Sequence, residues 1–170
     1  MQTDQRRAAA SLPAPSADAL ASSSALHSHI AACIAAAGGW IGFDRFMELT
    51  LYAPGMGYYA GGADKFGSTG DFVTAPELGP IFARTVAAQV AQLLGLSAPN
   101  LIEAGAGSGR LAADLLLELE ARGQLPDRYG ILELSGELRA RQRATIALRA
   151  PRLLPRVHWL ERLPERFDGL

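Results

Sequence analysis

Between residues 101 and 160 the chain alternates short apolar runs with longer segments of helical period. That alternation restricts the fold more than any other feature. LIEA (101–104) reads as a short buried strand. Residues 110–122 put Leu111, Leu115, Leu116 and Leu119 on one helical face and stop at Gly123. RYGILEL (128–134) reads as a second strand, ELRARQRATIALR (137–149) as a second helix halted before Pro151, and VHWL (157–160) as a third strand. Strand–helix–strand–helix–strand implies an α/β fold with a parallel sheet and right-handed crossovers. A doubly wound sheet continues on the far side of its first strand. The chain is therefore expected to be truncated after the third strand, with Gly169-Leu170 read as the start of a fourth.

Upstream the pattern differs. Residues 1–24, rich in Ala, Ser and Pro, read as a disordered tail. Residues 25–37 form a helix stopped by Gly38-Gly39. Residues 43–51 form a second, with Phe43, Phe46, Met47 and Thr50 on one face. A long stretch with many glycines and several aromatics follows, and a segment of that length without helical period is usually functional. A helix over 80–94 leads into the sheet, with Phe82, Val86, Val90 and Leu93 as its buried stripe. Three regions result: the tail (1–24), a helical and loop extension (25–97), and a partial Rossmann-like α/β domain (98–170).

The strand at 101–104 runs into a glycine loop, EAGAGSGRL, where Gly105, Gly107 and Gly109 alternate directly behind Glu103. At a strand-to-helix handover, glycines let the backbone turn sharply and approach a ligand, and the helix start adds exposed amides. A phosphate loop needs Lys followed by Ser or Thr, which is missing here. A dinucleotide loop needs G-x-G-x-x-G, and its last position is Arg110. The spacing acidic-x-G-x-G-x-G, used for S-adenosylmethionine, fits without a gap. Glu103 can attract the cationic methionine end of that cofactor, and Glu133, closing the second strand, can accept both ribose hydroxyl hydrogens. A tight turn without a ligand, and a solvent-facing strand end, are the plainer alternatives. A nicotinamide-dependent oxidoreductase is the rival enzyme class.

Four stretches carry a more specific likeness: IGFDRFMELTLYAPGMGYY (41–59), GDFVTAPELGPIFA (70–83), LIEAGAGSGRLAADLL (101–116) and LELSGELRARQ (132–142). Together they resemble the MidA-like methyltransferases, the family containing the mitochondrial complex I assembly factor that methylates arginine. The likeness covers the front part of a typical member. It implies a Rossmann-like class I methyltransferase fold with an N-terminal helical extension over the cofactor. It also implies S-adenosyl-L-methionine bound at Glu103, Gly105, Gly107, Gly109 and Glu133, with Gly70 and Thr74 bordering the pocket. Asp71 and Glu77 are the motif-linked carboxylates able to orient an acceptor guanidinium and take its proton. Thr74 to Glu77 also matches a helix capping box, and Asp71 an Asx turn. An inactive S-adenosylmethionine-binding or assembly module is the alternative function.

Composition narrows the partners. A net charge of −1 gives no global attraction to nucleic acid, and the single Cys33 leaves no internal disulfide. His27 and His29, two apart on a helix, face different sides and make no metal pair. No uninterrupted run of 18 apolar residues marks a membrane span. The expected partner is a protein substrate, a respiratory complex I subunit by the resemblance. The open sheet edge is compatible with a homodimer. A bacterial cytoplasm is the expected compartment, with the mitochondrial matrix second.

Overall fold

The computed structural model describes residues 14–61 and 73–170. Its elements are α1 (Ala17–Ala36), α2 (Phe43–Tyr52), α3 (Ala75–Leu78), α4 (Ile81–Leu94), β1 (Asn100–Ala104), α5 (Arg110–Ala121), β2 (Arg128–Leu132), α6 (Gly136–Arg149), a 3-10 helix over Pro151–Arg156, and β3 (Val157–Leu160). The three strands pair in parallel in the order β1-β2-β3, with Leu101 opposite Tyr129 and Tyr129 opposite Val157.

Strand alternation puts Leu101, Tyr129, Ile131 and Val157 on one face, where they meet Ala87 of α4, Ala112, Leu115, Leu116 and Leu119 of α5, and Ile146 of α6. Leu116, Leu119, Ile131 and Ile146 are fully buried. Each contributes roughly 2 kcal/mol of transfer free energy. Ala112 and Ala113 are also fully buried, in a helix whose close neighbours are α4 and α6. α5 ends as its sequence demands: Gly123 is left-handed, with Gln124 N–H donating to Leu119 O and Gly123 N–H to Glu120 O, a Schellman closure.

On the outer edge of β1, Leu170 N–H donates to Asn100 O at 3.0 Å, and Ile102 N–H donates to Leu170 O at 2.8 Å. That is the bonding pattern of a parallel pair centred on Leu101. The reading of Gly169-Leu170 as a strand start is met, and β1 has chain on both sides. The end of β1 lies at the carboxyl edge of the sheet, the side on which open α/β sheets bind ligands.

Several expectations change. Phe82 and Leu93 of the expected α4 stripe are exposed, and Ala83, Ala87 and Leu94 are the buried residues where α4 packs on α5. The tail ends sooner than residue 24, because α1 starts at Ala17 with the Ser16 side chain accepting from Ala19 N–H. In addition, α1 is long and apolar enough to cross a membrane by length and composition alone, and none of its residues is buried. Its serines and histidines break up any continuous apolar run, so the sequence pattern did not register it. The capping box at Thr74 is not formed: no side chain caps α3, and Glu77 turns elsewhere.

Candidate functional site

The site is built where β1 hands over to α5. Gly105, Gly107 and Gly109 all adopt positive φ, at +67°, +53° and +82°. This left-handed backbone is costly for any residue with a Cβ, which explains why three glycines are needed. They are not equivalent. A Cβ on Gly105 would meet nothing within 4 Å, whereas one on Gly109 would lie 2.8 Å from Gln142 Cα. Gly105 therefore faces open space beside the loop, and Gly109 lets α5 and α6 approach each other.

A cleft of about 370 Å³ opens beside this loop, lined by Thr74, Pro76, Glu77, Phe82, Glu103, residues 104–108 and Leu111. The structure thus brings together five of the residues expected from sequence: Thr74, Glu77, Glu103, Gly105 and Gly107. Gly109 and Glu133 lie outside that lining. Gly70 and Asp71 lie outside the described residues. A second hollow, of about 380 Å³, lies against the other face of the sheet around Ile102, Gly130 and His158, away from the glycine loop.

Glu103 reaches the cleft from the end of β1, and its Oε2 accepts from the Tyr129 hydroxyl at 2.8 Å. Burial pushes the Glu103 carboxyl up to about 7, opposed in part by that hydrogen bond. Tyr129 is fully buried and its hydroxyl is pushed up well above the usual range, by burial first and by Glu103 second. One carboxylate oxygen is thereby anchored, and the other has no partner among the described residues.

Glu133 stands one residue beyond β2 and is 5% exposed. Its Oε1 accepts from Ser135 N–H at 3.0 Å and its Oε2 from Gln142 Nε2 at 3.0 Å. The N-terminal extension closes over this corner. The Ser135 hydroxyl donates to Tyr59 O at 2.6 Å, and Tyr52 and Tyr59 pack with ring centroids 5.7 Å apart. Burial, then the nearby Glu133 carboxylate, raises the Tyr52 hydroxyl. The loop after α2 folds back onto that helix so tightly that a Cβ on Gly57 would lie 2.6 Å from Ala53 N and Tyr52 N.

Glu77 accepts from the Ser108 hydroxyl, and Arg110 donates from its guanidinium to Glu77 O at 3.1 Å. These contacts fasten α3 to the glycine loop. Sequence reasoning did not single out Ser108, Tyr129, Ser135 or Gln142. Only Gln142 left a visible signal, an amide at the middle of the Leu138, Gln142, Ile146 stripe of α6.

Residues 81–170 match the family model described as "Putative S-adenosyl-L-methionine-dependent methyltransferase". Among curated proteins, the chain is 38% identical over 82 residues to the protein arginine methyltransferase NDUFAF7 homolog of Drosophila melanogaster. That match covers 46% of this chain and 18% of the relative. It is 32% identical over 117 residues to mouse NDUFAF7, covering 64% and 27%. A crystal structure of a Burkholderia thailandensis protein bound to S-adenosyl-homocysteine superposes with a TM-score of 0.82 at 58% identity, over 94% of this chain and 42% of that one. A native crystal structure, also from B. thailandensis, gives 0.75 at 56% identity over 94% and 40%. The chain thus spans about a fifth to a quarter of the curated relatives and two fifths of the solved structures.

Proposed function

Because this chain belongs to the family of S-adenosyl-L-methionine-dependent methyltransferases, we propose that it binds S-adenosylmethionine and carries the cofactor half of a methyl transfer to a protein arginine. The observation that carries the cofactor reading is the pair of carboxylates at adjacent strand ends. Glu103 lines the cleft with one oxygen anchored on Tyr129, and Glu133 is held by two donors beside the same left-handed loop. An adenosyl cofactor with an ammonium group needs such a set: an anion for the positive end, a two-oxygen acceptor for the ribose, and backbone free of Cβ between them.

S-adenosylmethionine supplies a methyl group on a good leaving group. The chain's own residues bind, align and shield. Glu103 would hold the methionine ammonium, and Gly105 and Gly107 would border the chain between ammonium and ribose. Glu133 would accept the ribose hydroxyls, and Phe82 and Leu111 add apolar side chains to the cleft lining. An acceptor guanidinium must shed a proton as its nitrogen attacks. Glu77, at the cleft wall, and Asp71 are proposed to orient it and take that proton. Arginine as acceptor is supported by the names of the curated relatives. Calorimetric titration with S-adenosyl-homocysteine and, separately, with NAD tests the cofactor. Transfer of labelled methyl to arginine-containing protein by the natural full-length protein tests the acceptor. Binding of NAD alone would reject the reading.

A further inference from the structure

α6 turns three residues inward at one-turn spacing: Leu138, Gln142 and Ile146. Two are apolar, as a buried stripe requires. The middle one is an amide with no exposure at all. A buried amide is costly unless its hydrogen-bonding positions are used. Here three are. The Trp159 indole N–H donates to Gln142 Oε1 at 2.9 Å. An indole nitrogen only donates, so it must face the amide oxygen, and this settles which way the amide points. Nε2 then faces the site, donating to Gly107 O at 3.2 Å and to Glu133 Oε2 at 3.0 Å. The indole is itself held, with the Arg143 guanidinium 4.2 Å above the ring.

One side chain therefore ties together the glycine loop, the carboxylate after β2 and the third strand. The consequence for Glu133 is specific. With Ser135 N–H on one oxygen and Gln142 on the other, the carboxylate cannot rotate about its terminal bond, which is otherwise a soft torsion. Each oxygen keeps a lone pair for a further donor. We propose that Gln142 is a positioning residue for ribose recognition: it sets the plane of the Glu133 carboxylate relative to the Gly107 peptide, so that both oxygens face a vicinal diol. The inference rests on the adenosyl-cofactor reading of the site. It adds that selectivity for a ribose with both hydroxyls is set from α6, by a residue that does not itself touch the sugar.

The test uses the natural full-length protein and two probes, S-adenosyl-homocysteine and its 2′,3′-dideoxyribose analogue. Wild type is expected to bind the first at least tenfold more tightly, since each hydroxyl would donate to a charged acceptor. Gln142→Met should lose about tenfold in affinity for S-adenosyl-homocysteine while binding the dideoxy analogue as wild type does. A general packing role would weaken both probes equally, and an unchanged ratio would overturn the proposal. Gln142→Asn, which keeps an amide but shortens its reach, replaces it if the methionine variant does not fold. A crystal structure of the wild-type complex decides independently of any variant. Gln142 Nε2 should remain on Glu133 while the ribose hydroxyls occupy the other lone pairs, and release of Glu133 by Gln142 on binding would overturn the inference. Failure of wild type to bind S-adenosyl-homocysteine at all would instead remove the underlying cofactor reading.

Discussion

With Glu103 holding the methionine ammonium as proposed, cofactor binding should depend on pH near neutrality. Burial raises its carboxyl from an ordinary 4.5 to about 7 in the free protein, so near pH 7 roughly half the molecules carry it protonated. A cationic ammonium binds the ionised form. The apparent affinity for S-adenosyl-homocysteine should therefore weaken by about tenfold between pH 8 and pH 6, since only the ionised fraction is competent. Titration calorimetry in buffers of different ionisation enthalpy should also show proton release on binding near pH 7. Glu103→Gln should give weak and pH-independent binding. Tyr129→Phe removes the hydrogen bond that favours the anion and should move the midpoint up by about one pH unit. The same shift appears in stability, with a definite sign. A folded-state value above the unfolded one favours the protonated native protein. That contribution is complete below about 4.5 and is lost as pH rises through about 7, and it amounts to at most roughly 3 kcal/mol. The ligand-free wild type should thus lose stability relative to Glu103→Gln between pH 5 and pH 8. A wild-type affinity constant within twofold from pH 6 to pH 8 would refute the argument, because it would place an already ionised carboxylate in the cleft.

The two ends of the glycine loop should respond differently to alanine. Gly109→Ala brings a Cβ to 2.8 Å from Gln142 Cα on a backbone at φ +82° and should cost about 3 kcal/mol or more in urea unfolding. Gly105→Ala meets no atom within 4 Å, so only the backbone term of about 1–2 kcal/mol should appear. Asp114, 8% exposed, accepts from Arg149 at 2.5 Å, with Arg110 Nε 3.7 Å from its other oxygen. Arg149→Met should destabilise by about 2 kcal/mol, less than for a fully buried pair because Arg149 is about one-third exposed. Ser108→Ala frees Glu77 from the glycine loop, and faster amide exchange across Ala75–Leu78 at little change in melting temperature is the expected readout.

Much of the fold was legible because its signals are local. The helix over 110–122 and its stop at Gly123, the strand positions, and the break before Pro151 follow from period and breaker residues, and each was met within a residue or two. The start of α1 was not legible. Its first turns read as Ala- and Ser-rich tail, and only the Ser16 cap marks the boundary. The candidate site was legible where chemistry and spacing coincide, at Glu103, Gly105 and Gly107. Gly109 shows the limit, since the same glycine signal serves a helix crossing rather than the cleft lining.

The sequence by itself determined the parallel α/β order, the left-handed turn between β1 and α5, and the two strand-end carboxylates, because periodicity and the absence of Cβ act within a few residues. Tertiary structure alone decided how those carboxylates are held. Tyr129 meets Glu103 across two strands, and Gln142 meets both Gly107 and Glu133 from a helix. Such contacts join residues up to 35 positions apart, and their hydrogen bonds depend on burial and orientation that no local pattern encodes.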